Sequence, residues 1–218
     1  MLLKIGNKEV NCKIKYKKTR HAYLKLNPNY CLEITLPENN SVSAETILKE
    51  KQNWLKRKVG ELGKSVKLFE EDSVYYKGEK YGVNIVRDKN SGIKIFDNSI
   101  EIYKFGKRKT ENILLEFLAD ETLEYVSVKA EEFSSIFGLY PKSVSIKNLR
   151  SFGHCKRDGR IFFNSKLICL PIPLIDYVVA HELVHLKHFN HSKDFKLGVE
   201  KILPNYRELE KELKKYHW

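Results

Sequence analysis

The segment His181-Glu182-Leu183-Val184-His185 sets two imidazoles four residues apart, with a carboxylate beside the first. Residues four apart on a helix stand on one face, so His181 and His185 can offer nitrogens to a single zinc ion. Glu182 is turned about 100° from His181. That puts it near a bound metal but out of line with it, the position of a general base acting on a metal-activated water. A catalytic zinc keeps three protein ligands and one open position, so a third ligand is needed. An unbroken helix would present His188, but three ligands stacked over about 10 Å of rise strain a tetrahedral site. Asn190 can take the left-handed conformation that ends a helix, and Ser192 can cap the next one. His191, on the turn between them, is therefore favoured, and His188 reads as a solvated or supporting residue. Glu200 and Glu208 stay open as carboxylate alternatives. Chance copies of this short motif occur on ordinary amphipathic helices. Here, however, four of the seven histidines fall within eleven residues, among Val178, Val179, Leu183 and Val184.

Around this segment the periodicity predicts both sheet and helix. Val10–Tyr16 alternates, with Val10, Cys12, Ile14 and Tyr16 on one side and Lys13, Lys15 and Lys17 on the other, as a half-buried strand does. Strands are also expected at Tyr23–Leu26 and Leu32–Leu36, separated by the turn-prone Asn27-Pro28-Asn29. One helix starts at Ser43 and runs past Trp54 toward Gly60 and Gly63. Between Ser73 and Tyr103, short apolar segments alternate with turn residues, which reads as an antiparallel meander. The character changes near residue 106. A helix of about 28 residues comes next, stopped by Gly138 and long against a mean of about 11–12. Strands are expected at Ser143–Ile146 and Arg160–Phe163, the second as an edge on which an extended peptide could pair. Pro171 and Pro173 introduce the helix that carries the motif. The expected fold is α+β: an N-terminal β-rich module with one helix over residues 1–106, then a catalytic domain over 107–218. Trp54 and Trp218 read as packing residues.

Composition narrows the class. Charged residues are 31% and hydrophobic residues 42% of 218, as in soluble globular proteins, and no apolar run has the length of a membrane helix. The first residues lack a secretory layout, and Cys12, Cys31, Cys155 and Cys169 are scattered without a Cys-x-x-Cys pair. A reducing, cytoplasmic location is expected, with no membrane partner. Cys155 reads as a small buried hydrophobe rather than a thiolate ligand. The net charge of +12 is concentrated early, with 13 Lys and Arg against 5 Asp and Glu in the first 60 residues. Lys13, Lys15, Lys17, Lys18 and Arg20 form a linear array suited to weak binding of nucleic acid without sequence preference. A merely solvated lysine-rich surface is the competing reading. Tyr16 and Tyr23, which could stack on bases, are expected to face the core.

The stretch from Leu149 to Tyr206 resembles the YgjP-like metallopeptidase family, relatives of the SprT-like and WLM zinc peptidases. The matching residues are Phe152-Gly-His-Cys155, Ile161-Phe-Phe-Asn164, Leu167, Pro171, Ile175-Asp-Tyr-Val-Val179, His181 to Leu186, Asn190-His-Ser192, Phe195 and Pro204-Asn-Tyr206. The Lys17–Lys25 region and the Trp54 helix resemble the family more weakly. The resemblance implies a zincin-like domain with one zinc per chain on His181, His185 and His191, Glu182 as the catalytic residue, and a peptide or protein substrate. One departure stands out: the family usually shows Trp-Gly-Ser-Cys where this chain has Phe152-Gly153-His154-Cys155. Arg150, His154 and Tyr206 are candidates for stabilising an oxyanion opposite the metal, with no choice among them. Two other functions stay open. One is a nucleic-acid-associated protease, or a zinc hydrolase acting on another bond. The other is a non-catalytic module that zinc merely stabilises. The oligomeric state is not readable from the sequence.

Overall fold

The computed structural model of the protein describes residues 2–27, 30–38, 43–62, 66–68, 70 and 72–217. Pro28 and Asn29 of the expected turn, Gly63 and Trp218 lie outside the described residues. The chain divides into two compact units, Met1–Val66 and Lys67–Tyr216. No helix among the described residues is long and apolar enough to cross a membrane.

The first unit is a four-stranded sheet with helices α1 (Ala44–Glu50) and α2 (Gln52–Leu62). Its strands are β1 (Leu2–Ile5), β2 (Lys8–Lys17), β3 (Tyr23–Leu26) and β4 (Cys31–Pro37), in the order β1-β2-β4-β3. β2 and β4 run parallel, and both outer pairs are antiparallel. Val10 and Cys12 are buried with Leu32, Ile34 and Leu36 against Ile47, Leu55 and Val59, and Trp54 packs at the margin of this core. Ser43 caps α1, its side chain accepting from the Thr46 N–H. The expected single helix is broken at Lys51, whose ψ of 14° leaves the helical range between α1 and α2. The alternation on β2 also fails past Cys12. Ile14 and Tyr16 are 41% and 65% exposed although their β4 partners Ile34 and Leu36 are buried, on the part of β2 that β1 no longer flanks, and Tyr23 is 55% exposed. Both tyrosines expected in the core thus reach solvent.

The short strand β5 (Val66–Lys67) leads into the second unit. There β6 (Ser73–Tyr76), β7 (Glu79–Arg87), β8 (Gly92–Phe96) and β9 (Ser99–Lys104) form a sheet in the order β6-β7-β9-β8. It is not the expected meander, because β7 and β9 pair in parallel and β8 lies outside β9. Order and strand sense repeat those of the first sheet. The change of sequence character near residue 106 falls between β9 and the next helix, α3 (Thr110–Phe137), inside this unit. Contacts tie the sheet to later elements of the same unit. The Lys77 N–H donates to the Ile168 carbonyl at 2.7 Å, the Tyr76 hydroxyl donates to Glu121, and Gly78 lies against Pro171. A Cβ on Gly78, whose φ is +90°, would sit 2.8 Å from the Pro171 Cα.

α3 has the expected length of 28 residues and ends at Gly138, which is left-handed at φ 68°. Its buried stripe includes Leu114, Leu118, Val126, Ala130 and Phe133. Thr122 in that stripe donates to the Ser165 carbonyl and accepts from the Ile168 N–H, fixing the turn ahead of the next helix. The third sheet has the order β10-β12-β11, from β10 (Ser143–Lys147), β11 (Gly153–Cys155) and β12 (Arg160–Asn164). β12 is therefore central rather than an edge, and β10 and β11 are the edges. Ile161, Phe162 and Phe163 are all buried, as a strand covered on both faces requires. After a 3-10 turn at Leu167–Cys169 come α4 (Ile172–Val184), α5 (Lys193–Ile202), α6 (Tyr206–Leu213) and the two-residue β13 (Tyr216–His217).

Candidate metal centre

α4 is buried on nearly every side. Val178, Val179, Leu183 and Val184 are at most 3% exposed, so the helix and the side chains on it are held by packing. The helix ends at Val184, and His185 follows in helical conformation with its N–H donating to the His181 carbonyl, which preserves the four-residue register. One further turn returns the His188 N–H to Val184, and the chain then turns at Phe189 and Asn190. Asn190 does not take the expected left-handed conformation; among described non-glycine residues only Tyr30 and Lys77 have positive φ. Ser192 does cap α5, accepting from the Phe195 N–H.

This path brings three imidazoles together. The Nε2 atoms of His185 and His191 lie 3.2 and 3.1 Å from the Nε2 of His181. Tetrahedral ligands about 2.0–2.1 Å from a zinc ion stand about 3.3 Å apart, so the spacing fits one small cation. His185 Nδ1 is 2.8 Å from the His188 carbonyl. A carbonyl only accepts, so the proton sits on Nδ1 and the Nε2 lone pair is left for a metal. His188 thus contributes its backbone, and its side chain stands outside the converging group, as do Glu200 and Glu208. Glu200 faces Arg207 at 3.7 Å. The Phe195 ring forms a common floor, its centroid 4.8, 4.5 and 4.8 Å from those of His181, His185 and His191. Burial pushes the His181 proton affinity down to about 3, helped by the charges of His185 and His191, and burial also lowers that of His185. Both rings are therefore neutral at pH 7, as metal ligation requires.

Glu182 is 6% exposed, and its Oε2 is a buried oxygen without a hydrogen-bond partner. Burial raises its carboxyl to about 8, against which the Cys155 backbone N–H pulls downward. Buried polar atoms are almost always paired, so an orphan oxygen beside three converging nitrogens marks a position kept for something to bind. β11 runs directly over this carboxylate. A Cβ on Gly153 would stand 2.7 Å from the Glu182 Cγ and 2.8 Å from Oε1, so any side chain there would force β11 or the carboxylate to shift. The loop leading into β11 is held by Asn164, whose side-chain amide donates to the carbonyls of Leu149 and Ser151. Cys155 is partly buried, its thiol pushed up to about 11 by burial, so it is a protonated thiol rather than a thiolate.

Two cavities open on the group. One of about 310 Å³ lies beside Gly153, Val178, Glu182 and Leu213; the other, of about 330 Å³, is bounded by His191, Phe195, Tyr206 and Glu210. A larger cavity of about 360 Å³ by Phe137, Val184 and Gly198 contains neither Glu182 nor any of the three converging histidines. Of the oxyanion candidates, Tyr206 is buried in the wall of the second cavity, its hydroxyl accepting from Arg207 at 3.3 Å. His154 is exposed, and its charge is felt at His185. Arg150 is exposed. Lys13, Lys15, Lys17, Lys18 and Arg20 belong to the first unit and are exposed, with Lys15 3.5 Å from Glu33. Sequence reasoning missed what Gly153, Asn164, Phe195 and the His188 carbonyl do. For Phe195, its place one helical turn after His191, just past the Ser192 cap, was the available signal.

The family model of the YgjP-like metallopeptidase domain matches residues 20–216. No curated protein and no solved structure matches the chain.

Proposed function

The chain belongs to the YgjP-like metallopeptidase family, and on that premise we propose that it is a zincin-like zinc peptidase with Glu182 as general base. His181, His185 and His191 would hold the ion. The observation that carries this reading is the convergence of the His185 and His191 Nε2 atoms to 3.2 and 3.1 Å from that of His181, beside a buried, half-satisfied carboxylate. Zinc there supplies Lewis acidity, polarising a carbonyl and making water acidic near neutral pH. Glu182, whose ionised form burial alone disfavours, would be ionised more readily beside a bound cation. An extended substrate adds to the free edge of β11, which carries the scissile amide past Glu182. The cavity walled by Phe152, Val178 and Leu213 takes an apolar side chain next to that amide. Glu182 accepts a proton from the attacking water and delivers it to the amide nitrogen as the C–N bond breaks, giving a carboxylate and an amine. Tyr206, in the wall of the second cavity, and His154, on β11, are the candidate donors to the oxyanion.

A non-catalytic, zinc-stabilised module is disfavoured by Glu182 itself. A purely structural site gains nothing from a buried carboxylate with an unpaired oxygen, which costs about 1–3 kcal/mol. The test is Glu182→Gln, which keeps shape and metal but removes the base. Hydrolysis of an unfolded protein substrate should fall by about 100- to 10,000-fold with zinc content unchanged. Undiminished hydrolysis would overturn the role given to Glu182.

A further inference from the structure

The sheet of the first unit has one apolar side and one solvent side, and the solvent side has its own character. In the β2–β4 and β3–β4 registers, Lys13, Glu33 and Lys25 form one row across the sheet, and Lys15, Thr35 and Tyr23 another. Side chains alternate along each strand, so Lys13, Lys15, Lys17, Lys25 and Tyr23 share the face opposite Val10, Leu32 and Ile34. Lys4 joins them from β1, and Glu9 and Glu33 are the acidic residues of the same face. The five lysines are exposed, and Tyr23 is 55% exposed. Lys18 and Arg20 extend the positive charge through the turn into β3. β1 pairs with β2 only as far as Asn11 among the described residues, so the segment bearing Lys13, Lys15 and Lys17 borders an open side. β1 and β2 precede residue 20, where the family match begins, whereas Tyr23, Lys25 and Glu33 of the same face lie within it.

We propose that this face binds single-stranded nucleic acid. Lysines at alternate positions of one strand stand about 6.6–6.8 Å apart, a spacing that follows the phosphates of an extended single strand. A tyrosine in the row of Lys15, two strands over, offers a ring on which a base stacks. The ring distinguishes this surface from a general cation patch: duplexes and anionic lipid surfaces supply charge but no unstacked base. Lysine without arginine at the centre of the face gives affinity rather than base readout, so binding is tolerant of sequence. It is also independent of the proposed zinc chemistry.

The test uses the full chain and labelled 20-residue oligothymidylate and oligouridylate, followed by fluorescence anisotropy at several salt concentrations. Each phosphate contact contributes about −0.7 to the slope of log K against log salt, so three to five contacts give about −2 to −3.5. Changing Lys13, Lys15 and Lys17 together to Gln should remove about 2 from that slope. Tyr23→Leu should weaken binding roughly 5- to 150-fold at every salt concentration and leave the slope alone. All four positions are exposed, and unchanged thermal unfolding verifies the fold of each variant. No binding at 50 mM salt would overturn the proposal. So would an unaffected Tyr23→Leu variant, equal affinity for duplex, or tighter binding to phosphatidylserine vesicles than to either oligonucleotide.

Discussion

Gly153→Ala is the smallest change that strikes the candidate base without touching it. The added Cβ would lie 2.7 Å from the Glu182 Cγ and 2.8 Å from its Oε1. Carbon atoms in contact rest at about 3.5–4.0 Å, so β11 or the carboxylate must move by about 1 Å. Neither yields freely. β11 is paired to β12 with its approach loop tied by Asn164, and Glu182 rises from a helix packed on nearly every side. A displacement of about 1 Å at a catalytic group costs on the order of 100-fold in rate. Overpacking of this kind costs about 1–3 kcal/mol of stability, enough to lower Tm without unfolding the domain. The expected result is kcat on an unfolded protein substrate reduced by about 100-fold, with zinc still bound at one per chain. The metal measurement separates a displaced base from a collapsed site. Full activity with the metal retained would refute the claim that β11 sets the position of Glu182.

The metal-free protein should show opposed pH limbs in thermal unfolding. His181 falls from 6.5 to about 3 on folding, so its contribution is lost as pH drops below 6.5; Glu182 rises from 4.5 to about 8, so its contribution is lost as pH climbs from 4.5 toward 8. Each proton gives a slope of up to about 1.4 kcal/mol per pH unit, and the two oppose one another between 4.5 and 6.5. Stability in chelator should plateau there and fall on both sides, and Glu182→Gln should flatten the alkaline limb; an unchanged limb in that variant would contradict the burial argument. For the third ligand, His191→Ala should release zinc on dialysis, whereas His188→Ala should retain it, because His188 acts through its backbone carbonyl. The reverse outcome would reassign the ligand.

What could be read from the sequence divides by the range of the interaction. The 28-residue α3 and its Gly138 stop were legible because helix periodicity and a left-handed cap are local. The histidine pair was legible because a helix fixes side chains four apart. His191 was reached through the Ser192 cap, although the chain turns there without the left-handed Asn190. Strand order was not legible. The parallel pairing of β7 with β9 depends on partners beyond any local pattern, and the turn signals around β8 suit a meander equally well. The central place of β12 was available in the unbroken run Ile161-Phe162-Phe163, which signals cover on both faces. Gly153 was invisible in its function, since the side chain that requires it comes 29 residues later, from α4. Tyr16 and Tyr23 look like core residues until the strand pairing is known: β1 stops flanking β2 before Tyr16, and the register with β4 turns Tyr23 to the solvent face.

The central claim is that three imidazoles, and no sulfur, hold the metal, and zinc K-edge X-ray absorption on the zinc-loaded protein tests it most directly. The expected spectrum has only nitrogen and oxygen neighbours at about 2.0–2.1 Å, with the outer-shell scattering of three imidazole rings and one zinc per chain. A sulfur neighbour at about 2.3 Å, which would bring in Cys155, or scattering from fewer than three imidazoles would contradict it.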